Sequence, residues 1–246
     1  MQPDAGPTFA FTMSPAAEGG DEISLDRADN GNWTSNEAGT GRLIGSKWGV
    51  SATDLIGYLI ATTRCTAASV TAASMAALTE TQALAIWSPG YWQAMRCADL
   101  PVGVDLQTAD HGYNRGIHAG GVVLQRTAGI TGADVDGWIG DQTIAAVALA
   151  IGRAGLPALS DSAARCLQRR LGVGVDGNAG PITRAALAAL PPATGSLLSF
   201  IARLADAQAA DYATLAQFAM FGADWTTRTY ARCDAALALT VIGASA

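Results

Sequence analysis

The sequence predicts a mainly α-helical fold, and three observations predict it. The 246 residues include 51 alanines against five phenylalanines and five tyrosines, a composition that packs as close, small-residue helices rather than as aromatic-rich strands. After Ser51, apolar residues recur at helical spacing, as at Leu55, Leu59 and Ile60. Helix-start signals stand where such stretches open, for example the capping box Thr79-Glu80-Thr81-Gln82. Half of the residues are hydrophobic and only 15% are charged, which excludes a disordered chain and suits one large or two small domains with a sizeable core.

In order along the chain, residues 18 to 50 are rich in Gly, Asn, Asp, Ser and Thr with isolated aromatics, an irregular or hairpin-bearing segment. Helices are expected over 54–62, 79–87, 104–114, 118–127, 142–151, 162–171, 182–190, 197–219 and 225–240. Gly155, Pro157, Pro191 and Pro192 interrupt that series. Residues 1–98 read as one region and 99–246 as a helical C-terminal region. Within the latter, 124–147 aligns with 167–187 across one three-residue gap, with 11 of 21 aligned positions identical. A duplicated helix-turn-helix unit follows, about 118–151 and 161–190, with closing helices over 196–246. In each copy a leucine (Leu124, Leu167) anchors the first helix. An Asp-Gly pair (Asp136-Gly137, Asp176-Gly177) makes the turn, and a threonine (Thr143, Thr183) starts the second helix.

Several functions are excluded. Fifteen Lys and Arg against 21 Asp and Glu, net charge −6, form no basic cluster, so nucleic acid is not an expected partner. The uncharged stretches 65–79 and 235–246 fall short of the roughly 18 apolar residues that span a bilayer. Residues 1–10 lack the positive start of a Sec signal, so synthesis and folding in the cytoplasm are expected. Cys65, Cys97, Cys166 and Cys233 are widely spaced without a Cys-x-x-Cys pair, and His111 and His118 lack a zinc-binding pattern. No metal or cofactor is expected. The cysteines read as buried free thiols, or as a disulfide of unassigned pairing in an oxidising compartment. Gly172 to Gly177 fits G-x-G-x-x-G but follows a helix, which argues against a dinucleotide site.

The chemistry-bearing motifs lie in a fixed order. Glu18-Gly19-Gly20 is followed by Asp29-Asn30-Gly31-Asn32-Trp33-Thr34, then by Gly41 to Ser51 in the pattern G-x-L-x-G-S-K-W-G-V-S. Tyr91-Trp92, Asp99-Leu100-Pro101-Val102-Gly103-Val104-Asp105 and Asp110 to Gly116 come next, and Phe221 to Arg228 close the series. Together they resemble the family 108 glycoside hydrolases, N-acetylmuramidases that include phage endolysins and export-associated peptidoglycan hydrolases. Ser14-Pro15 departs from the family, which has an uninterrupted apolar helix there. The glycine of the closing motif is shifted as well.

The resemblance implies a lysozyme-like helical lobe that hydrolyses the β-1,4 bond between N-acetylmuramic acid and N-acetylglucosamine. Such cleavage needs a carboxylic acid to protonate the leaving oxygen, and usually a second carboxylate. Glu18 takes the first role: at the C-terminal end of a short helix closed by Gly19-Gly20, the helix dipole disfavours its charged form. A solvated helix-end glutamate is the alternative reading of the same residues. Asp29 is the second carboxylate, with Asp26 as its rival and a simple turn role as the alternative. Thr34 would position water. Trp33, Tyr91 and Trp92 would line a sugar groove or pack in the core. Asn114 would bind an N-acetyl group or cap its helix. Asp136, Trp138 and Asp176 of the repeats, which resemble small peptidoglycan-binding units, would touch the wall or serve as turn residues. Asn178 replaces Trp138 in the second copy. The expected partner is peptidoglycan, met by a monomer released to the periplasm through a holin. The alternatives are a host muramidase of protein export and a non-catalytic wall-binding or phage structural module.

Overall fold

Side-chain caps at Ser51, Thr79 and Ser160 open three of the helices in a computed structural model, which describes residues 3–14, 20–153, 156 and 158–241. Among these residues eleven α-helices occur and no strand. Strand-like pairing among the described residues consists of the isolated antiparallel bridges Ser24–Ser46, Trp33–Leu43 and Lys47–Val50. The fold is mainly α-helical. The chain divides into one unit of Phe9–Gly90 and another of Met1–Thr8 with Tyr91–Ala246, so the division falls ahead of the Ala98 boundary read from the sequence.

The first helix, α1 (Ala5–Thr12), is one that the sequence did not signal, because Gly6 and Pro7 stand in its first turn. Proline is tolerated there, since the first N–H groups of a helix need no internal partner. An Asp4 carboxylate oxygen accepts from Gly6 N at 2.9 Å. Of the Ser14-Pro15 departure from the family, Pro15 lies outside the described residues.

In the unit Phe9–Gly90, Phe9 is buried, with its ring 5.7 Å from Trp87 and 6.4 Å from Trp48. α2 (Ala52–Thr63) opens on Ser51, whose Oγ accepts from Asp54 N at 3.2 Å, and closes on Arg64 in the left-handed conformation. A short α3 (Ala72–Ala76) precedes α4 (Glu80–Ser88). The capping box that marks α4 in the sequence is formed in both directions: Gln82 N donates to Thr79 Oγ1 at 3.3 Å, and Thr79 N to Gln82 Oε1 at 3.0 Å.

The other unit is built around α10 (Pro192–Ala213), which packs against α5 (Val104–Arg115), α6 (Ile117–Thr127), α7 (Asp141–Gly152), α8 (Asp161–Leu171), α9 (Pro181–Ala188) and α11 (Phe218–Leu239). Leu198, Ile201 and Leu204 of α10 are fully buried. The sequence expected one helix over 197–219; instead the chain reverses at 214–217. No Gly or Pro marks that turn. It is held by Thr214 Oγ1 donating to the Asp211 carbonyl at 2.7 Å and by Leu215 N donating to Tyr212 O at 3.0 Å. The stacked rings of Tyr212 and Trp225, 5.2 Å apart, bridge the two helices it joins.

The two repeats, α6–α7 and α8–α9, share one hydrogen-bond lock. In the first, Gln125 Nε2 donates to Asp136 Oδ1 (2.7 Å), the Trp138 carbonyl (3.0 Å) and Thr143 Oγ1 (3.2 Å), while Gln125 Oε1 accepts from Gly137 N (2.8 Å). In the second, Gln168 makes the same four bonds to Asp176, the Asn178 carbonyl, Thr183 and Gly177 N, at 2.6, 2.9, 3.2 and 3.0 Å. Glycine is required at the turn: Gly137 has φ +77°, and a Cβ there would lie 2.5 Å from the His118 ring. The three-residue gap of the alignment is a 3₁₀ turn, Gly132–Asp134, present in the first copy alone.

Candidate active site

Glu18 lies outside the described residues. The loop that follows it is built as an ordered scaffold. Asp26 and Asp29 are exposed, each closing a turn on its own backbone: Asp26 Oδ1 accepts from Ala28 N and Asp29 Oδ1 from Gly31 N, at 2.9 and 2.8 Å. Asp29 thereby caps the 3₁₀ turn Asn30–Asn32. Both carboxylates stay at the surface within four residues of each other in the chain, so geometry does not separate the favoured one from its rival. Asn32, fully buried, donates through Nδ2 to the Asp26 carbonyl at 2.9 Å and to Ser24 Oγ at 3.3 Å, tying the acidic turn to the loop body.

Trp33 is 7% exposed and its indole N–H donates to the Arg27 carbonyl at 3.1 Å, so its ring serves the core of the loop. Thr34 is half-buried. Its hydroxyl accepts from Arg42 N at 3.0 Å, while its own N–H donates to Arg42 O at 3.0 Å. The loop is fastened to the α2–α4 region through two cations. Arg42 donates to the carbonyls of Val70 (2.8 Å) and Ala67 (2.7 Å), and Lys47 to those of Ala76 (3.0 Å) and Leu78 (3.1 Å). Gly45, at φ +86°, lets the chain pass Ser24, whose carbonyl would stand 2.6 Å from any Cβ. Arg42, Gly45 and Lys47 all belong to the third sequence motif, which therefore builds the loop.

The remaining candidates belong to the other unit. Tyr91 meets Tyr113 edge to face at 5.0 Å. Trp92 is 5% exposed and sits in the core. Asn114 is exposed, with Nδ2 donating to the Asp110 carbonyl of its own helix at 2.9 Å. In the repeats, Asp136 and Asp176 each take two internal donors, the glutamine amide and the N–H two residues on. Those hydrogen bonds hold both carboxyls below the usual range. Trp138 is instead 58% exposed, edge-on to the His118 ring at 6.2 Å.

Sequence reasoning missed a buried polar cluster in the same unit. Asp110 is fully buried and accepts from Arg228 at 2.7 Å and from Arg232 at 2.6 Å. Burial alone would raise its pKa, but the two guanidiniums outweigh burial and hold it below the ordinary carboxylate range. Arg232, itself fully buried, continues to Gln208 Oε1 at 2.8 Å, and Gln208 Nε2 reaches the Gln107 carbonyl at 2.9 Å. Asp110 and Arg228 come from two of the ordered motifs, and that shared membership was the available signal. Beside them, burial lowers His111 to about 4, partly opposed by Asp211, whose Oδ2 lies 3.3 Å from Nε2. Asp211 also pairs with Arg115 at 2.6 Å and is lowered to about 2. Above pH 4 His111 is neutral, so the charge that keeps Asp211 ionised is that of Arg115.

Asp105 carries the pKa signature of a general acid, raised by burial to about 6 despite bonds from Gly103 N (2.6 Å) and Leu106 N (2.7 Å). At 2% exposure it faces protein rather than ligand, which assigns it to the fold.

Residues 11–116 match the family described as Glycosyl hydrolase 108. No curated protein is significantly similar to the chain. A solved structure, that of Brucella abortus SagA, is similar over 94% of this chain and 95% of that one, at 24% identity and a TM-score of 0.52. The arrangement of helices is thus one already seen in that protein.

Proposed function

Starting from the glycosyl hydrolase 108 domain at residues 11–116, a glycoside hydrolase, we propose that the protein cleaves the β-1,4 bond between N-acetylmuramic acid and N-acetylglucosamine in peptidoglycan. The single observation that carries this reading is the family match, which spans the Glu18-Gly19-Gly20 triplet, the Asp29–Thr34 loop and the Arg42–Lys47 fastening. Glu18 donates the proton to the leaving oxygen, and Asp29 acts as base or stabiliser. Thr34, on the same loop as Asp29, orients water. Tyr91 and Asn114 contact the glycan. Support for Asp29 is its exposed position on a loop whose backbone is fixed by buried Asn32 and by Arg42. The repeats add wall affinity through Trp138 of the first copy, the exposed aromatic beside His118.

The role we assign is lysis by a monomeric enzyme made in the cytoplasm and released to the wall through a holin. Expression with and without a holin tests it, with lysis expected only in its presence.

For the reaction itself, purified peptidoglycan is incubated with wild type and with Glu18→Gln, and new reducing ends are counted. Release by wild type and at least a hundredfold less by the variant, at a Tm within a few degrees of wild type, is the expected result. Equal release by both overturns Glu18 as the acid. Sedimentation with the wall and no release by wild type would make the protein a binder. Trp138→Ala is expected to lower the sedimented fraction while leaving release from soluble glycan fragments unchanged.

A further inference from the structure

Two thiols on different helices, Cys166 of α8 and Cys233 of α11, are fully buried in the larger unit. Cys166 Sγ donates to the Tyr230 carbonyl at 3.5 Å. A helical carbonyl points along the axis toward the residue four positions on, so this sulfur stands at the level of Cys233 and Asp234. One turn further along α8, Arg169 pairs with Asp234 at 2.6 and 3.2 Å and fixes the same register between the helices. The Cys166 thiol, together with burial, pushes the Cys233 thiol well above its usual range. Cys97 is buried elsewhere, within reach of its own neighbour's carbonyl at Met95, and Cys65 is only partly covered.

We infer that Cys166 and Cys233 are a disulfide-forming pair that joins α8 to α11 when the chain folds under oxidising conditions and that stays as two thiols in the reducing cytoplasm. The oxidant is a small external disulfide such as oxidised glutathione. The Cys166 thiolate, formed by loss of its proton to water, attacks one sulfur of that disulfide. A mixed disulfide forms and one glutathione thiolate leaves. Cys233, after losing its proton to water, attacks the Cys166 sulfur and expels the second glutathione thiolate. Two protein thiols are oxidised, one external disulfide is reduced to two thiols, and the two protons end on the leaving thiolates. Both sulfurs are buried, so exchange takes place in the folding chain, and native packing then holds the pair together. The link closes the chain over residues 166–233, a long loop whose cross-linking restricts the unfolded ensemble strongly. The pairing is independent of the reaction proposed above.

The test is refolding from urea in a glutathione redox buffer, against refolding in dithiothreitol. Free thiols are blocked with N-ethylmaleimide and peptides are mapped by mass spectrometry. Two of the four thiols are expected to disappear into a single cross-link, 166 to 233. Tm should rise by on the order of 5–10 °C, reversibly with dithiothreitol. Cys233→Ser should retain three reactive thiols and show no rise. Should that variant fail to fold, a double variant Cys65→Ser, Cys97→Ser, which retains the proposed pair, should still form the link and lose both remaining thiols. Four reactive thiols in oxidised wild type, or a link through Cys65 or Cys97, overturns the inference.

Discussion

Asp110 shows how one side chain serves as a motif residue without touching substrate. It pairs with fully buried Arg232 and nearly buried Arg228, so its removal takes the carboxylate away from a cation in the core. Asp110→Ala is expected to cost about 3–5 kcal/mol, read from urea unfolding; a loss under 1 kcal/mol would show that Arg232 does not depend on this carboxylate for its burial. The neighbouring titrations have opposite signs. His111 is lowered from 6.5 to about 4, so its contribution is complete above pH 6.5 and is lost as pH falls toward 4, where the unfolded chain binds the proton first. Asp105 is raised from 3.8 to about 6, so the cost of keeping it ionised is present above pH 6 and is relieved as pH falls toward 3.8. Between pH 6 and 4 the two slopes cancel. Asp105→Asn, which keeps an oxygen for Gly103 N and Leu106 N, is expected to uncover the His111 slope, a loss of about 1.4 kcal/mol per pH unit. Unfolding at pH 6, 5 and 4 checks this: parallel profiles for wild type and variant would refute it.

At the scale of elements, the glutamine lock explains why the duplication survives in sequences that differ elsewhere. Gln168 is 2% exposed and uses both ends of its amide. Gln168→Ala leaves Gly177 N without its partner and removes the amide donor from Asp176, and a loss of about 1–3 kcal/mol is expected. Hydrogen exchange should show it confined to α8–α9, and uniform loosening of α6–α7 as well would argue against a self-contained lock. Nine helices were legible in the sequence because apolar spacing and capping residues survive without tertiary context. α1 was not, since Gly6 and Pro7 hide it, and the break at 214–217 was not, since Thr-Leu-Ala-Gln carries no breaker and the turn rests on the Thr214 and Leu215 hydrogen bonds and on the packing of Tyr212 on Trp225.

Across the whole molecule, the candidate site was legible as an order of motifs rather than as a geometry. A line of sequence shows that Asp29 sits where a turn is expected and Asp26 close by, yet not which of them meets substrate. It also does not show that Trp33 and Trp92 turn inward while Trp138 turns outward, because inward or outward depends on neighbours tens of residues away. Arg42 and Lys47 of the third motif proved to be fasteners, which a pattern cannot distinguish from ligand contacts.

The 3₁₀ turn found in one copy of the repeat alone has an evolutionary consequence. Since the extra residues bulge out ahead of the six polar groups that close the turn, insertions there leave the closure untouched. The unit can therefore lengthen, shed its aromatic tip or be copied again as a cassette, and each descendant still folds by the same few bonds.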